Sequence, residues 1–400
     1  MARRLLATLT ATAILGAGCG GGNGGDDGAP ATAGKAVGSE PVTIPVGVDA
    51  RTDGFGASFF AFFPNEVTAR PGDTVEFTSF FSGEPHTVAL GTMVDQALAA
   101  YSAVPAGAEA PPEAKQLLAK LPSFYPPNAT AVDVDPAPSA AQPCFLESGE
   151  PPAQEACSGQ QREQPDFNGR QSFFSSGFLP DEATFDVKIA ADAVPGTHSF
   201  MSLVDGRNMT GRLSIVAAGK RVASPAEVRQ QGQDRVDRAV ASLAPRAAAV
   251  KAIVAPDAAV AGAPAEAPGS SAQVEEFETS VNAFPDAIAV ATGGAVTWTI
   301  NGAHTVSFNA PEDSRPLYAV EGDGIVRANK KGFGPAGGPG QGSGAPPGLV
   351  YGGQFDGSGF HSSGILVGKG VSYRLTFTKP GTYKYRCNFH TDMEGAIKVG

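Results

Sequence analysis

Four side chains have the types and the spacing of a metal site. Cys387, His390 and Met393 follow one another at intervals of three, directly after an alternating apolar stretch, and His304 follows a second such stretch upstream. A thiolate and two imidazoles bind copper, and a thioether at longer distance tunes its potential without closing the site. The pattern therefore predicts a trigonal His2Cys copper site with Met393 as a weak axial ligand.

Each of these residues also has a purely structural interpretation. A single buried cysteine or methionine most often fills a core, and a Cys/His/His set accepts zinc as well as copper. Thr305 and Asn388, which adjoin the candidate ligands, are predicted to orient the loop or to donate a hydrogen bond to the sulfur. His198 and His361 have no comparable neighbours and are assigned to no site.

The composition limits the fold and the function. A chain of 400 residues exceeds one typical core, so two domains are expected. Only 17% of the residues are charged, while 51 glycines and 33 prolines favour strands and turns over helices. The net charge of −11 argues against a nucleic-acid partner.

The N-terminus is predicted to carry an export signal. Basic residues precede the apolar run Leu5–Leu15, which is too short to remain in a bilayer, so residues 1–18 are predicted to be a signal peptide. The residues before Cys19 resemble a bacterial lipobox, although Gly16 stands where leucine is usual. We expect lipidation of Cys19; the alternative is ordinary cleavage with an unmodified cysteine.

A flexible tether is predicted to follow Cys19. Residues 19–40 are mostly glycine, alanine and aspartate, a composition that cannot bury a core. The expected location is therefore outside the cytoplasm, anchored by lipid at the outer face of the cytoplasmic membrane or in the periplasm.

An internal repeat indicates two homologous domains, residues 41–217 and 271–400. Matched strings recur in the same order in both parts: Phe63-Pro64 with Phe284-Pro285, His86-Thr-Val with His304-Thr-Val, Ser175-Ser-Gly with Ser362-Ser-Gly, and Pro195-Gly-Thr with Pro380-Gly-Thr. Insertions interrupt each copy, at residues 91–170 and 309–358.

Residues 218–270, between the two copies, are predicted to be a helix and a linker. Ser224, Pro225 and Glu227 form the pattern of a helix N-terminus with a capping box. The apolar face ends at Pro245, and an Ala/Pro linker follows. A second, short helix is predicted near residues 112–120, and the Gly/Pro-rich run at residues 332–348 is predicted to be a surface loop.

The ordered motifs of the C-terminal copy, which end in Tyr-Arg-Cys-Asn-Phe-His-Thr-Asp-Met-Glu-Gly, resemble cupredoxins of the plastocyanin and amicyanin type. The resemblance implies an all-β protein with two tandem Greek-key cupredoxin-like β-sandwiches joined by the helical, Ala/Pro-rich linker. It also implies that His304 and His390 are equatorial ligands, Cys387 the thiolate and Met393 the axial ligand. His390 is then expected at the solvent edge as the electron exit, with Phe389 and Met393 on the surrounding apolar patch.

The N-terminal copy has lost most of the ligand set. When the two copies are aligned on Pro-Gly-Thr, Ser202, Asp205 and Asn208 occupy the positions at which the other copy has its thiolate, second imidazole and thioether. Of the ligand set, only His86 remains. A hydroxyl does not replace a thiolate, so this domain is predicted to lack a blue copper site. The alternative is an oxygen-rich site made by His86, Asp205 and Met209.

The resemblance implies a type 1 copper protein that carries single electrons between redox partner proteins and is not an enzyme. Multicopper oxidases and copper nitrite reductases need further copper centres, typically built from His-x-His pairs. The chain has five histidines and none are so spaced. Copper trafficking or storage without a redox role is the alternative function.

Cys144 and Cys157 remain after these assignments. In an exported protein they are predicted to form a disulfide, which stabilises the fold by about 3 kcal/mol in the chain-entropy model. Both thiols should resist alkylation until a reductant is added, as measured by mass spectrometry of the denatured protein. Modification without reductant would contradict the pairing.

Overall fold

The computed structural model describes most of the chain beyond the predicted tether. The described residues are 40–80, 83–102, 104, 111–124, 135–141, 164–255, 257–262, 272–274, 277–322, 325–332, 348–367 and 371–400. The predicted signal peptide, the lipidation site Cys19, the pair Cys144 and Cys157, and most of the Gly/Pro-rich loop lie outside these ranges. Those four expectations remain predictions.

The described part of residues 43–216, which we call the N-terminal half, contains ten strands, nine of which form two sheets. The strands are β1 (Thr43–Val48), β2 (Gly56–Phe60), β3 (Phe62–Phe63), β4 (Glu66–Ala69), β5 (Thr74–Ser79), β6 (Ala89–Leu90), β7 (Phe174–Ser175), β8 (Thr184–Lys188), β9 (Gly196–Met201) and β10 (Thr210–Ile215). One sheet has the order β3-β1-β5-β8 and the other β4-β10-β9-β6-β7.

The period-two sequence pattern explains how these sheets pack. In β1, Ile44, Val46 and Val48 are buried while their neighbours are more exposed, as expected for a strand with one face on a core. Phe77 of one sheet and Phe200 of the other meet edge to face with ring centroids 5.1 Å apart. The two sheets therefore enclose a common apolar core.

Residues 258–400, the C-terminal half, contain the remaining strands. These are β11 (Ala258–Ala261), β12 (Ala272–Val274), β13 (Phe277–Asn282), β14 (Ile288–Val290), β15 (Ala295–Ile300), β16 (Ala303–His304), β17 (Ser307–Phe308), β18 (Tyr318–Val320), β19 (Val326–Ala328), β20 (Leu349–Phe355), β21 (His361–Ser362), β22 (Leu366–Val367), β23 (Ser372–Phe377), β24 (Gly381–Arg386) and β25 (Glu394–Val399). The main sheets have the orders β11-β15-β23-β20 and β14-β25-β24-β17-β21.

The larger sheets of the two halves repeat each other strand by strand. β4 and β10 pair in parallel, as do β14 and β25, and the three remaining pairs of each sheet are antiparallel. β1 pairs in parallel with β5, and β11 pairs in parallel with β15. β11 thus occupies the place of β1, so the predicted linker to residue 270 is wrong at Ala258–Ala261, which form a strand of the C-terminal sheet.

Four helices are described: α1 (Thr92–Ser102), α2 (Pro112–Leu118), α3 (Pro138–Ala141) and α4 (Pro225–Lys251). The capping box of Ser224 and Glu227 is present at the start of α4, and α2 confirms the predicted short helix. The predicted end of α4 at Pro245 is wrong, because the buried side chains of Ala247 and Val250 continue its packed face. No described helix has the length and apolar character needed to cross a bilayer.

The two halves are joined by a sheet and by α4. β2 pairs antiparallel with β13, so Gly56–Phe60 of the N-terminal half lie beside Phe277–Asn282 of the C-terminal half. The buried face of α4 shares a core cluster with Phe59 and Phe277. The helix therefore packs against strands of both halves.

The two insertions are more ordered than the sequence suggested. β20 joins the C-terminal sheet beside β23, so residues 349–355 of the predicted insertion 309–358 are sheet and not loop. The other insertion also holds α1 and α3, which were not predicted. The rings of Phe124 and Tyr318 lie 6.0 Å apart, so the insertions contact each other.

Replacement of Leu243 by alanine tests whether α4 stabilises the contact between the halves. Leu243 is fully buried in the cluster that contains residues of both halves, and removal of such a side chain costs about 2–5 kcal/mol. We expect a clear fall in the urea midpoint of unfolding. Val254→Ala, at a residue that is 84% exposed, is the control; equal midpoints for both variants would contradict the packing role.

Candidate metal centre

His304 is the last residue of β16, and two backbone segments hold its ring. Its Nε2 lies 2.9 Å from the carbonyl oxygen of Asn301. Gly262 has a φ of +78°, and a Cβ there would lie 2.4 Å from Asn301 O and 2.8 Å from His304 Nε2. The chain at Gly262 thus closes one side of the ring, and only glycine leaves enough room.

Cys387 follows β24 and is fully buried. Its backbone N–H donates to the carbonyl oxygen of Met393 at 3.0 Å, which closes the loop between β24 and β25. The backbone N–H of Thr305 donates to Cys387 Sγ at 3.3 Å. The prediction that Thr305 donates to the sulfur is confirmed, with the main chain as the donor.

Three side-chain atoms converge in the interior. Nδ1 of His304 lies 3.2 Å from Nδ1 of His390, and Cys387 Sγ lies 3.6 Å from His390 Nδ1. The three ligand atoms all lie within 4.8 Å of one another. Two nitrogens bound to one metal at about 2 Å are about 3.3 Å apart at a tetrahedral angle, so the observed spacing fits one ion.

The Nε2 atoms of His304 and His390 determine which ring atoms face the candidate metal centre. His304 Nε2 contacts the carbonyl oxygen of Asn301, which only accepts hydrogen bonds, and His390 Nε2 lies 3.2 Å from Oε1 of Glu84. In the form that binds a metal, both imidazoles are neutral and protonated at Nε2, so both Nδ1 atoms present lone pairs to the centre beside the sulfur. Three electron-rich atoms at this spacing are stabilised by a shared cation, so the donor set fits a metal.

Electrostatics favour the metal-binding form of the cysteine. Burial opposes ionisation, but hydrogen bonds and charge from His304 and His390 hold the pKa of the Cys387 thiol well below its usual range. Burial also disfavours the imidazolium of His390, but Cys387 and Glu84 raise the pKa of His390 to about 9. The thiolate is the form of cysteine that binds metals.

Asn388 fastens the loop, as predicted. Its backbone N–H donates to Thr305 Oγ1 at 2.7 Å, and its Nδ2 donates to the carbonyl oxygen of Gly332 at 2.8 Å and to Ser307 Oγ at 3.2 Å. Arg315 donates to the carbonyl oxygen of Cys387. Residues of the insertion thus support the ligand loop from one side.

Met393, the predicted axial ligand, is fully buried and belongs to the same apolar cluster as Cys387 and Phe389. Together with the hydrogen bond from Cys387 to its carbonyl oxygen, this places Met393 at the end of the ligand loop. Its role as a ligand remains a proposal.

The expectation that His390 lies at a solvent edge is wrong. His390 is only 1% exposed, and Phe389 is buried beside it. Burial opposes ionisation of Glu84, but its hydrogen bond with His390, and the charges of His390 and His86, lower the pKa of Glu84. The imidazole edge therefore contacts an ionised side chain of the N-terminal half, and Phe389 and Met393 form no exposed patch.

The corresponding position in the N-terminal half holds an ion-paired histidine. His86 Nδ1 lies 2.9 Å from Asp205 Oδ2, and its Nε2 lies 3.5 Å from Asp49 Oδ2. Burial disfavours the imidazolium, but Asp205 and Asp49 raise the pKa of His86 to about 10. Ser202 Oγ accepts hydrogen bonds from the backbone N–H groups of Thr87 and Val204.

Within the described residues, one group of His, Cys, Asp or Glu has metal-ligand spacing, and it is the C-terminal one. The alternative oxygen-rich site at His86, Asp205 and Met209 includes a methionine and stays a prediction. His198 and His361 pair with Asp95 and Tyr373 and lie outside the cluster. The sequence analysis did not identify Glu84. The available signal was a difference between the two copies: two residues before the repeated histidine, the N-terminal copy has Glu84 and the C-terminal copy has Gly302.

Comparison with known proteins identifies the domain that carries the cluster. Residues 273–400 match the model of copper binding proteins of the plastocyanin/azurin family. The C-terminal region is therefore a copper-binding cupredoxin domain, with His304, Cys387 and His390 arranged as a possible metal site. The search of curated proteins returned no significant match.

Solved structures similar to the chain include a mutant plastocyanin of fern, which is 19% identical in sequence. The match covers 43% of this chain and 99% of the plastocyanin, with a TM-score of 0.19. Auracyanin A of Chloroflexus aurantiacus is 19% identical. The match covers 44% of this chain and 99% of auracyanin A, with a TM-score of 0.20. A copper-containing nitrite reductase of Thermus scotoductus is 12% identical. The match covers 90% of this chain and 68% of the reductase chain, with a TM-score of 0.20. The copper assignment depends on the family match and the side chains, not on these similarities.

Replacement of Gly262 by alanine tests the support behind His304. The new Cβ would overlap Asn301 O and His304 Nε2, so we expect copper affinity to fall about 10- to 100-fold, the usual effect of disturbing a ligand's partner. Competition with a chelator measures it. Gly293→Ala is the matched control, since Gly293 has a φ of +84° but open space around it; equal losses in both variants would contradict the role of Gly262.

Proposed function

We propose that the protein carries single electrons through one type 1 copper site in its C-terminal domain. The observation that supports this most directly is the convergence of His304 Nδ1, His390 Nδ1 and Cys387 Sγ in a buried pocket. When bound, copper supplies a Cu(I)/Cu(II) couple that a thiolate and two imidazoles support. Met393 is the proposed axial ligand.

The backbone and side-chain groups around the site are suited to electron transfer, because they hold the ligands in one arrangement. Asn301 and Glu84 fix the two rings, Thr305 donates to the sulfur, and Asn388 fastens the loop. Ligands held by such partners move little when the charge of the metal changes. Low reorganisation is what a one-electron carrier requires.

The burial of the site favours electron transfer over copper trafficking or storage. Transfer of a metal to an acceptor protein requires an incoming ligand to reach the ion, whereas Cys387 and His390 are buried and His390 lies under Glu84. An electron needs no such opening. Copper trafficking nevertheless remains the second candidate, because the same ligands bind Cu(I).

The described residues favour a carrier over a copper enzyme. Oxygen or nitrite reduction needs a second copper centre, and the described part of the chain holds one cluster with metal-ligand spacing. The sequence also contains no His-x-His pair. We therefore propose a non-enzymatic role, with redox partner proteins as donor and acceptor.

The repeated sheet order supports two tandem cupredoxin-like domains. The larger sheet of each half starts with a parallel strand pair and has the same arrangement of strands, and the smaller sheets share one parallel pair followed by one antiparallel pair, β1-β5-β8 and β11-β15-β23. We propose that the N-terminal copy lost its metal when Ser202 took the place of the thiolate. The signal pattern at residues 1–18 and Cys19 supports an exported, lipid-anchored protein.

Replacement of Cys387 by serine tests the function. The copper-loaded protein should show an intense visible band from thiolate-to-copper charge transfer and should cycle reversibly between two oxidation states. Cys387→Ser should lose the band, because a hydroxyl does not replace the thiolate. Absorption spectroscopy with a redox titration measures both, and Ser202→Ala, at the matched position of the other copy, should leave the spectrum unchanged. A blue Cys387→Ser protein would contradict the assignment.

A further inference from the structure

The outer edge of His390 is in contact with the N-terminal half. Its Nε2 lies 3.2 Å from Oε1 of Glu84, a residue 306 positions earlier in the chain. The side chains of His390 and Glu84 are 1% and 16% exposed. The carboxylate therefore occupies the position at which a histidine on an open edge would contact water.

The main chain at Gly83 lies directly on the ligand loop. Gly83 has a φ of +130°, and a Cβ there would lie 2.2 Å from Phe389 O and 2.9 Å from His390 Cδ2. Only glycine allows this conformation and this approach. The neighbouring Glu84 is thereby brought to His390 by backbone packing.

The other end of this short segment is anchored by charge. His86 lies between Asp205 at 2.9 Å and Asp49 at 3.5 Å, and all three side chains are nearly or fully buried. Loss of one partner from a buried ion pair is strongly destabilising, so the position of His86 is well defined. Gly83 and His86 together fix the position of Glu84 between them.

We propose that Glu84 is a positioning residue of the copper site and that its carboxylate lowers the reduction potential of the bound copper. This inference rests on the function proposed above. A carboxylate that accepts Nε2–H fixes the tautomer of a ligating imidazole and raises its basicity. A nearby negative charge also stabilises Cu(II) more than Cu(I), because Cu(II) carries one more positive charge.

The N-terminal half thus contributes to the copper site without binding copper. It has lost its own thiolate position to Ser202, yet it supplies the partner of a ligand in the other half. The potential of the copper then depends on the contact between the halves. The isolated C-terminal domain would lack this partner.

Replacement of Glu84 by glutamine in the full chain tests the proposal. Glutamine keeps an acceptor oxygen and nearly the same volume but removes the charge. We expect Cu(II) binding to weaken about tenfold relative to Cu(I), which equals a rise in potential of about 60 mV for one electron. A redox titration followed by visible absorption measures it, and Glu84→Ala should raise the potential further.

Glu66→Gln is the matched control. It removes one negative charge from the same half at a side chain that is 70% exposed and far less able to affect a buried site. Its potential should equal that of the unaltered protein. A Glu84→Gln potential that is unchanged or lower, in a protein that is blue and cycles reversibly, would overturn the inference alone. An unaltered protein without the band or without reversible reduction would overturn the proposed function as well.

A second measurement needs no substitution. In the Cu(I) form, nitrogen NMR of the histidine rings should show His390 protonated at Nε2, with that proton protected from solvent exchange. A deprotonated Nε2, or a proton that exchanges as fast as that of a surface imidazole, would contradict the contact with Glu84. This test stays decisive if the Glu84 variants fail to fold.

Discussion

The site depends on one electrostatic constraint: two imidazole nitrogens and a thiolate face one another in a buried space. His304 Nδ1 and His390 Nδ1 are 3.2 Å apart, and the fully buried Cys387 lies beside them. Such atoms are stable at these distances only with a shared cation, which is either a proton on His390, whose pKa is raised to about 9, or a metal ion that replaces it. The contacts of the two Nε2 atoms with Asn301 and Glu84 keep the Nδ1 atoms facing inward, where a metal ion can bind them.

The contacts that maintain this arrangement come from all parts of the chain. Gly262 and Asn301 support one ring, and Glu84 of the N-terminal half supports the other. Thr305 donates to the sulfur from the strand side. The two halves share a sheet between β2 and β13 and a core with α4, so they form a continuous support for the site. The N-terminal half thereby contacts the candidate metal site through Glu84.

Much of this could be predicted from the sequence, because strands and ligand loops are encoded locally. Alternating apolar residues predicted the strands, and Cys387, His390 and His304 predicted the cluster that the structure brings together. The capping box predicted the start of α4. The end of α4 and the strand β11 were missed, since packing against residues distant in sequence overrides the helix-breaking preference of Pro245 and the low strand preference of the Ala-rich segment.

By itself, the sequence determined which side chains could bind a metal, since ligand identity and spacing follow from short motifs. Only the tertiary structure decided how open the site is. The burial of His390 arises from Gly83 and Glu84, which lie in the other half of the chain and meet the ligand loop only after both sheets have packed. Such a contact leaves no periodicity or spacing in the sequence, because it depends on how two folded surfaces fit together.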